Sequence, residues 1–325
     1  MSRTEEILRL LKGADGYISG ERIARELGIS RAAVWKQIAV LRKKGFSIHS
    51  QPKLGYSLTF SPDRLMPSEV RDGLDTSVIG KEVIYFPETE STNLIAKKLA
   101  TDGAREGTIV IAEAQTRGRG RLDRNWLAPP NKNILMSVIF RPRILPSRVF
   151  LLTMLSSLSI VKAIKETATL HALIKWPNDI YIDGKKAGGI LTEFSAEQDR
   201  VSFVIVGVGL NVNFDPSLYP EIKDTATSLS VAFGKKIHRV KLLQSILREI
   251  EKGYNRLKKG NGFQIHNEWK TYSLITGKPV RIISSGTVEE GIAESVDEDG
   301  CLVLRYKNGK RKRILSGDVS LRLTE

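Results

Sequence analysis

Cysteine is nearly absent from this chain. Cys301 is the single thiol in 325 residues, which excludes an intrachain disulfide framework and a multi-cysteine zinc site. Histidine is scarce as well. The four residues, at positions 49, 171, 238 and 266, are too scattered to suggest a histidine-based metal cluster. No apolar run approaches the ~20 residues of a membrane span, so no membrane partner is expected. The opening stretch MSRTEEILRLLKG is acidic and amphipathic rather than basic and then apolar. A signal peptide is therefore not expected, and a cytoplasmic location is.

Positive charge is what the chain has in excess. Lys and Arg number 51 against 36 acids, a net charge of +15. Such a balance favours polyanionic partners, nucleic acid or phosphates, and says nothing about fold. It is unevenly spread: residues 1–60 carry 11 basic and 5 acidic side chains, residues 61–270 carry 31 and 23, and the last 55 carry 9 and 8. Charge density peaks at the N-terminus. At this length, with 41% hydrophobic and 27% charged residues, two or three globular domains are expected.

Residues 1–62 read as three short helices and a hairpin. Thr4 is placed to cap EEILRLLK, Ser19 precedes GERIAREL, and Ser30 caps RAAVWKQIAVLRKK, with Gly13, Gly28 and Gly45 as stops. Val34, Ile38 and Leu41 recur at helical spacing, and FSIHS and YSLT flank the turn QPKLG. Two helices joined by a tight turn and trailed by a basic hairpin predict a winged helix-turn-helix. Ser19, Arg31, Trp35, Lys36 and Lys53 are its candidate DNA-binding residues, with Lys53 at the wing tip where phosphate contacts fall. A three-helix cap with a merely solvated basic face is the structural alternative.

After the proline-punctuated linker SPDRLMPSE, strands and helices alternate over residues 63–270. EVIYFPE, GTIVIAEAQ, NILMSVIFRP and VSFVIVGVGLNVNF are expected strands. STNLIAKKLATDG is an expected helix capped by Ser91, and SRVFLLTMLSSLSIVKAIKETA a long buried one. Residues 271–325 carry the hairpin signals Asp299-Gly300 and Asn308-Gly309 and predict a small β-barrel. Its basic cluster, residues 310–313, reads as an exposed edge strand rather than a second nucleic-acid patch.

Two segments carry candidate chemistry. RGRGRLDRNW, residues 117–126, sets four arginines on a glycine-spaced backbone whose ordering is entropically costly. It is neither a Walker A loop nor a G-x-G-x-x-G turn, yet guanidiniums can clamp phosphate in bidentate fashion, and Trp126 offers a face to an adenine. By itself the loop reads equally well as an unstructured surface segment. The second, IKWPNDIYIDGKKAGGIL, turns at Trp176–Asp179 and again at Asp183-Gly184. Its small run Ala187-Gly188-Gly189 lets backbone approach a ligand. Lys175 in an apolar strand needs a partner, and Asp179 is the nearest acid in sequence. A buried structural ion pair explains these residues without any ligand.

STN, GRGR..R.W, KWPND and KKAGGI, in this order and behind a helix-turn-helix, resemble the bifunctional biotin–protein ligase/biotin operon repressors of bacteria. The resemblance covers the whole chain. It implies a multidomain α+β protein: a winged helix-turn-helix (1–62), a central α/β ligase domain with a mixed, class II synthetase-like sheet (63–270), and an SH3-like barrel (271–325). It implies activation of biotin by ATP and magnesium to biotinyl-5′-AMP, then transfer to a lysine of a biotin carboxyl carrier protein domain. The adenylate is also the implied corepressor, strengthening a homodimer on operator DNA.

By the same resemblance Arg119, Arg121 and Lys186 are catalytic. Ser91, Thr92, Asn93, Gln115, Arg119, Gly120, Arg121, Lys186, Gly188 and Gly189 bind biotin. Arg119, Arg121, Arg124, Trp126, Asp179, Lys186 and Asn211 bind the nucleotide, and the metal ligands are left unassigned. The arginine loop is expected to be mobile when empty and to close over the adenylate, excluding water. Asp123 beside the clamp suggests a partner for Arg124. Ser91 suits a plain helix cap and Asn211 a plain turn residue. A metabolite-sensing transcription factor without catalysis and a lipoyl or other acyl ligase are the rival readings.

Overall fold

A computed structural model describes residues 3–197, 200–284, 287–315 and 317–321. The chain divides into two compact units, Met1–Arg64 and Leu65–Glu325.

In the first unit, α1 (Arg3–Lys12), α2 (Gly20–Leu27) and α3 (Arg31–Lys43) precede a hairpin of β1 (Ser47–Gln51) and β2 (Gly55–Phe60). Ile7, Leu8 and Leu11 of α1 are buried, as are Ile23 of α2 and Val34, Ile38 and Leu41 of α3. Ser19 Oγ accepts the Arg22 N–H at 3.1 Å and Ser30 Oγ the Ala33 N–H at 3.2 Å, caps of the kind that contribute about 1 kcal/mol each. One expected cap is different. Helix α1 already begins at Arg3, and Thr4, inside it, donates its hydroxyl to Gln37 Oε1. Arg31, Trp35 and Lys36 are exposed on α3, and Lys53 is exposed in the hairpin turn.

The second unit begins with α4 (Pro67–Arg71), β3 (Val83–Phe86), α5 (Thr92–Thr101), β4 (Ile109–Ala112), β5 (Ile134–Phe140) and α6 (Phe150–Ala168). The strands β6 (Leu173–Lys175), β7 (Asp179–Ile182), β8 (Lys185–Glu197) and β9 (Arg200–Leu210) follow. Helices α7 (Leu229–Phe233), α8 (Arg239–Lys258) and α9 (Gly262–Thr271) lead to the C-terminal strands. The main sheet is seven-stranded, in the order β3-β4-β5-β9-β8-β7-β6. Only β3 and β4 run parallel; every other neighbour is antiparallel.

Strand alternation sorts side chains between its two faces. Val204, Val206, Val208 and Leu210 join the large core under α6 and α8. Phe203 and Ile205 pack under α5 with Val110 and Ile139.

Helix α6 corrects the expectation about membrane-length segments. Residues Pro146–Ala168 are long and apolar enough to cross a bilayer by length and composition, but most of that surface is buried inside the fold. Its hydroxyls are also used internally: Trp269 Nε1 donates to Ser157 Oγ at 3.0 Å, and Thr153 and Thr192 share a bond of 2.7 Å. It is a core helix.

The remaining strands β10 (Pro279–Ser284), β11 (Thr287–Val296), β12 (Leu302–Arg305), β13 (Arg311–Ile314) and β14 (Asp318–Leu321) form an antiparallel sheet in the order β13-β12-β11-β10-β14. Among the described residues β13 and β14 are its edges, so the ladder of the expected barrel is open. Val280, Ile282, Ala293 and Leu302 belong to the same apolar core as the main sheet, so this region is not a third separate body. Arg311 pairs with Glu294, Lys312 with Glu289, and Arg313 with Asp297 and Asp299, at 2.6–2.8 Å. The basic cluster is thus an edge strand neutralised by its own sheet.

A buried charge pair fixes the start of this unit. Arg239, with no exposed surface, donates to Glu113 Oε2 at 2.7 Å and to Asn133 O at 2.8 Å. Glu113 Oε1 accepts the Leu65 N–H at 2.8 Å. Arg239→Ala strands that carboxylate in the core and is expected to cost about 3–5 kcal/mol. Calorimetry should show a lower-melting transition for the second unit. Arg239→Met combined with Glu113→Gln should recover much of the loss, because no buried charge is then left unpaired. An unchanged melting point in Arg239→Ala would contradict this role.

Candidate active site

Where α5 ends its cover of the main sheet, β9 stops carrying side chains on that face. After Phe203 and Ile205, the same face continues as Gly207 and Gly209. On β8, Gly189 lies opposite Gly209 and Leu191 opposite Gly207. The result is a floor of bare backbone, and it is bare because its neighbours demand it. A Cβ on Gly207 would stand 2.0 Å from Asn93 Oδ1, and one on Gly209 would stand 2.6 Å from the Trp126 indole. Gly188, one residue out of phase, faces Ile180 and Leu210 on the core side. It is the one expected biotin-pocket residue that does not line the cleft.

Above this floor is a cleft of about 330 Å³. The N-terminus of α5 brings Ser91, Thr92 and Asn93 to it, the segment after β4 brings Gln115, and the arginine loop brings Arg119, Gly120, Arg121, Arg124 and Trp126. Asp179 opens β7, Lys186 is the second residue of β8 and Asn211 follows β9, and all three also line the cleft. Sequence motifs nearly a hundred residues apart therefore share one cavity.

The polar end is a connected network. Gln115 Oε1 accepts the Thr92 N–H at 2.7 Å and its hydroxyl at 3.0 Å. Ser137 Oγ lies 2.8 Å from Thr92 Oγ1 and 2.7 Å from Asn93 Oδ1. Asn93 Nδ2 donates to Glu193 Oε2 at 2.7 Å and Leu191 O at 3.2 Å. Ser91 sits at the N-cap of α5 with no side-chain capping bond, so the plain helix-cap explanation of Ser91 is not what is found.

At the charged end Lys186 Nζ stands 2.7 Å from Asp179 Oδ1 and 5.6 Å from the Trp126 ring. Asp179 Oδ1 is buried without an aligned hydrogen-bond donor, so Lys186 compensates it by charge alone. This corrects the expected Lys175–Asp179 pair. Those residues are cross-strand neighbours on β6 and β7, but Lys175 Nζ reaches Tyr181 Oη at 3.1 Å and lies over its ring. The Lys186 backbone is in turn pinned by Thr225 O and the Thr227 N–H, both at 2.9 Å.

The arginine loop is a small hairpin rather than an unsupported stretch. Trp126 N–H donates to Gly118 O at 2.8 Å and Gly120 N–H to Arg124 O at 2.7 Å. Leu122 and Asp123 occupy the left-handed region at its tip. Asp123 faces Arg119, at 4.0 Å, rather than serving only Arg124. Arg117 pairs with Glu90 at 3.0 Å outside the cleft, and Arg121 reaches Asn178 Oδ1 at 3.4 Å.

Trp126 Nε1 and Asn211 Oδ1 are buried with no hydrogen-bond partner. Both residues line the cleft, and the two unpartnered atoms are themselves covered by protein. Among the described residues Asp179 is the only carboxylate lining this cleft, and no group of three metal-ligating side chains occurs. That donor set suits a Mg²⁺ ion held mainly by phosphates and water, with at most one protein carboxylate.

Sequence reasoning missed Gly207, Gly209, Ser137, Glu193 and the wall segment Ile222–Ala226. Alternation from Gly189 gives Leu191 and Glu193 on the same face, and the alternating glycines of VGVG mark a face without side chains. The 222–226 wall has no comparable local signal.

The Biotin/lipoate A/B protein ligase family matches residues 85–211, an HTH domain matches 3–57, and the Biotin protein ligase C terminal domain matches 275–322. The chain is 43% identical to the Bifunctional ligase/repressor BirA of Bacillus subtilis over 306 residues, 94% of each protein. It is 27% identical to that of Escherichia coli, over 98% of this chain and 97% of the other. A solved structure of Biotin protein ligase from Aquifex aeolicus in complex with biotin and ATP matches with a TM-score of 0.64 at 30% identity, covering 75% of this chain and 100% of that one. The chain belongs to the bifunctional biotin–protein ligase/repressor family.

Proposed function

We propose that the cleft joins biotin to ATP as biotinyl-5′-AMP and then passes the biotinyl group to a lysine of a biotin carboxyl carrier protein domain. The observation that carries this reading is the convergence of Arg119, Arg121 and Lys186 on one cleft whose other end is a polar network over bare backbone. Biotin's carboxylate and the α-phosphate repel each other. Cations held on either side reduce that repulsion and fix the attack geometry. Attack on phosphorus releases pyrophosphate; attack of the carrier amine on the mixed anhydride releases AMP. Lys186 stabilises the charge that develops in both steps, and the Arg119–Arg121 hairpin holds the adenylate away from water.

Adenine lies against Trp126, with Asn211 in contact with it. Magnesium would be held mainly by the triphosphate and water and would supply charge neutralisation, with Asp179 paired to Lys186. Gly189 rather than Gly188 meets biotin, while the roles of the other site residues stand as first assigned. The divisions 1–62, 63–270 and 271–325 serve as the DNA-binding, ligase and C-terminal modules.

The second activity is repression of biotin synthesis or uptake genes. Arg31, Trp35 and Lys36, exposed on α3, and Lys53 in the wing read and grip operator DNA, with Ser19 at the α2 N-terminus. The adenylate strengthens a homodimer, because two winged helices on a two-fold operator gain from effective concentration.

The full chain incubated with ATP, magnesium, labelled biotin and a carrier domain should label that domain at one lysine. A chain starting near Asp63 should still label it and should lose operator binding. Full-length chain that transfers lipoate instead, or binds biotin without releasing pyrophosphate, would overturn the ligase reading. Retained operator affinity in the shortened chain would overturn the DNA-binding assignment.

A further inference from the structure

We propose that Glu193, acting through Asn93 with Ser137 behind it, is a positioning residue that sets the hydrogen-bond polarity of the biotin-binding wall. The inference rests on the ligase reading above and adds two residues to it.

An asparagine amide has a donor end and an acceptor end of nearly the same shape, so a binding wall that uses one must prevent it from turning over. Glu193 does this for Asn93. An ionised carboxylate only accepts, and its Oε2 lies 2.7 Å from Asn93 Nδ2. The Leu191 carbonyl, which also only accepts, takes the second amide proton at 3.2 Å. Both donors of Asn93 are therefore committed away from the cleft. The carbonyl end stands over Gly207, where even a Cβ would come within 2.0 Å of Oδ1. Ser137 Oγ, fully buried, lies 2.7 Å from that oxygen and 2.8 Å from Thr92 Oγ1, and shares its one proton between them. One lone pair remains for a ligand.

The neighbouring residues are committed in the same sense. Thr92 gives its N–H and its hydroxyl proton to Gln115 Oε1. Gln115 therefore has only N–H donors left to offer. The wall consequently presents an acceptor at Asn93 and donors at Gln115. A cyclic urea, with a carbonyl flanked by N–H groups, is the complement. Turning Asn93 over would set a donor against the ligand's N–H, leaving both unpaired.

Register supports the assignment. Glu193 lies opposite Ile205 on β9, two residues along from the Leu191–Gly207 pair, so its side chain emerges on the cleft face one step behind the floor. It does not itself line the cavity, which makes it a positioning residue rather than a binding one.

The test uses the full chain and biotin alone as the probe. Glu193→Leu keeps the bulk and removes the acceptor, and should raise the biotin dissociation constant and the KM for biotin about 10- to 100-fold, the effect of leaving paired polar groups unmatched. The KM for ATP and kcat at saturating biotin should stay within about threefold. Glu193→Gln retains an acceptor, and with Leu191 O still biasing the amide it should restore most of the affinity. Ser137→Ala should weaken biotin by a smaller factor, with the melting temperature reporting that each variant is folded.

A Glu193→Leu chain that binds biotin like wild type overturns the proposal. So does a Glu193→Gln chain as weak as Glu193→Leu, or an equal loss in the KM for ATP. Wild-type chain that fails to bind biotin at all would instead overturn the ligase reading, and the two failures are separate results.

Discussion

Lys186→Ala is expected to slow formation of biotinyl-5′-AMP by about 10²- to 10³-fold, the range found when one charge-stabilising donor is removed from a closed site. Two effects add. The ammonium that offsets the developing charge on carboxylate and phosphate is gone, and Asp179, 2.7 Å from that ammonium in the native protein, becomes an uncompensated anion facing the triphosphate. Biotin binding, most of whose contacts lie at the other end of the cleft, should weaken by a smaller factor than the rate falls. The measurement is pyrophosphate release in a single turnover, with the biotin dissociation constant determined separately.

Because the second effect is repulsion, Lys186→Ala combined with Asp179→Asn should be faster than Lys186→Ala alone. Such non-additivity is what a double-mutant cycle detects for residues in contact. Pyrophosphate release at the wild-type rate in Lys186→Ala would remove the lysine from the chemistry.

Arg119→Gly is expected to release the intermediate instead. Arg119 is half exposed at the mouth of the cleft, and its nearest acid, Asp123, is 4.0 Å away, too far for a hydrogen bond. Its guanidinium is therefore available to an anion. Biotin alone brings one carboxylate, whereas the adenylate adds a phosphate, so losing this contact weakens retention of the adenylate more than binding of biotin. A charge-assisted contact in a closed site is worth roughly 2–4 kcal/mol, about 30- to 1000-fold in retention.

Adenylate that escapes acylates amines indiscriminately, so bystander proteins should become biotinylated in proportion to pyrophosphate release. If Arg119→Gly makes adenylate at a measurable rate and bystanders are labelled no more than by wild type, the hairpin does not retain the intermediate.

The fold was readable wherever one segment carried its own signal. Ser19 and Ser30 cap helices because a short hydroxyl before an amphipathic run has few other uses, and α3 presents Arg31 and Lys36 outward because Val34 and Ile38 must face in. The cleft was readable as four motifs in order. What escaped depends on cross-strand register, which no single stretch contains. Lys175 and Asp179 are paired by the ladder, yet each side chain bonds elsewhere, Lys175 to Tyr181 and Asp179 to Lys186. The resemblance names Gly188 together with Gly189, yet neighbouring strand residues face opposite sides and of the two only Gly189 lines the cleft. The burial of α6, by contrast, was readable from its length and composition, because a helix covered on several sides by a sheet and two other helices can be as apolar as a membrane span.

The glycine floor has a consequence for enlarging the substrate range. Reshaping a pocket for a bulkier ligand ordinarily means trimming a side chain from its lining, and here the three glycines beneath the ligand have none to trim, leaving Leu191 beside them. Gly207 is also closed in the other direction, since any added carbon meets Asn93. Gly189 is more forgiving, with its nearest neighbours 3.3–3.5 Å from a Cβ position. Room for a larger ring system must therefore come from the roof and sides, from Trp126 and the hairpin that carries it, or from the Ile222–Ala226 wall. Libraries that randomise those segments should yield orthogonal ligases for modified biotins, whereas libraries aimed at the strands should yield mostly inactive protein.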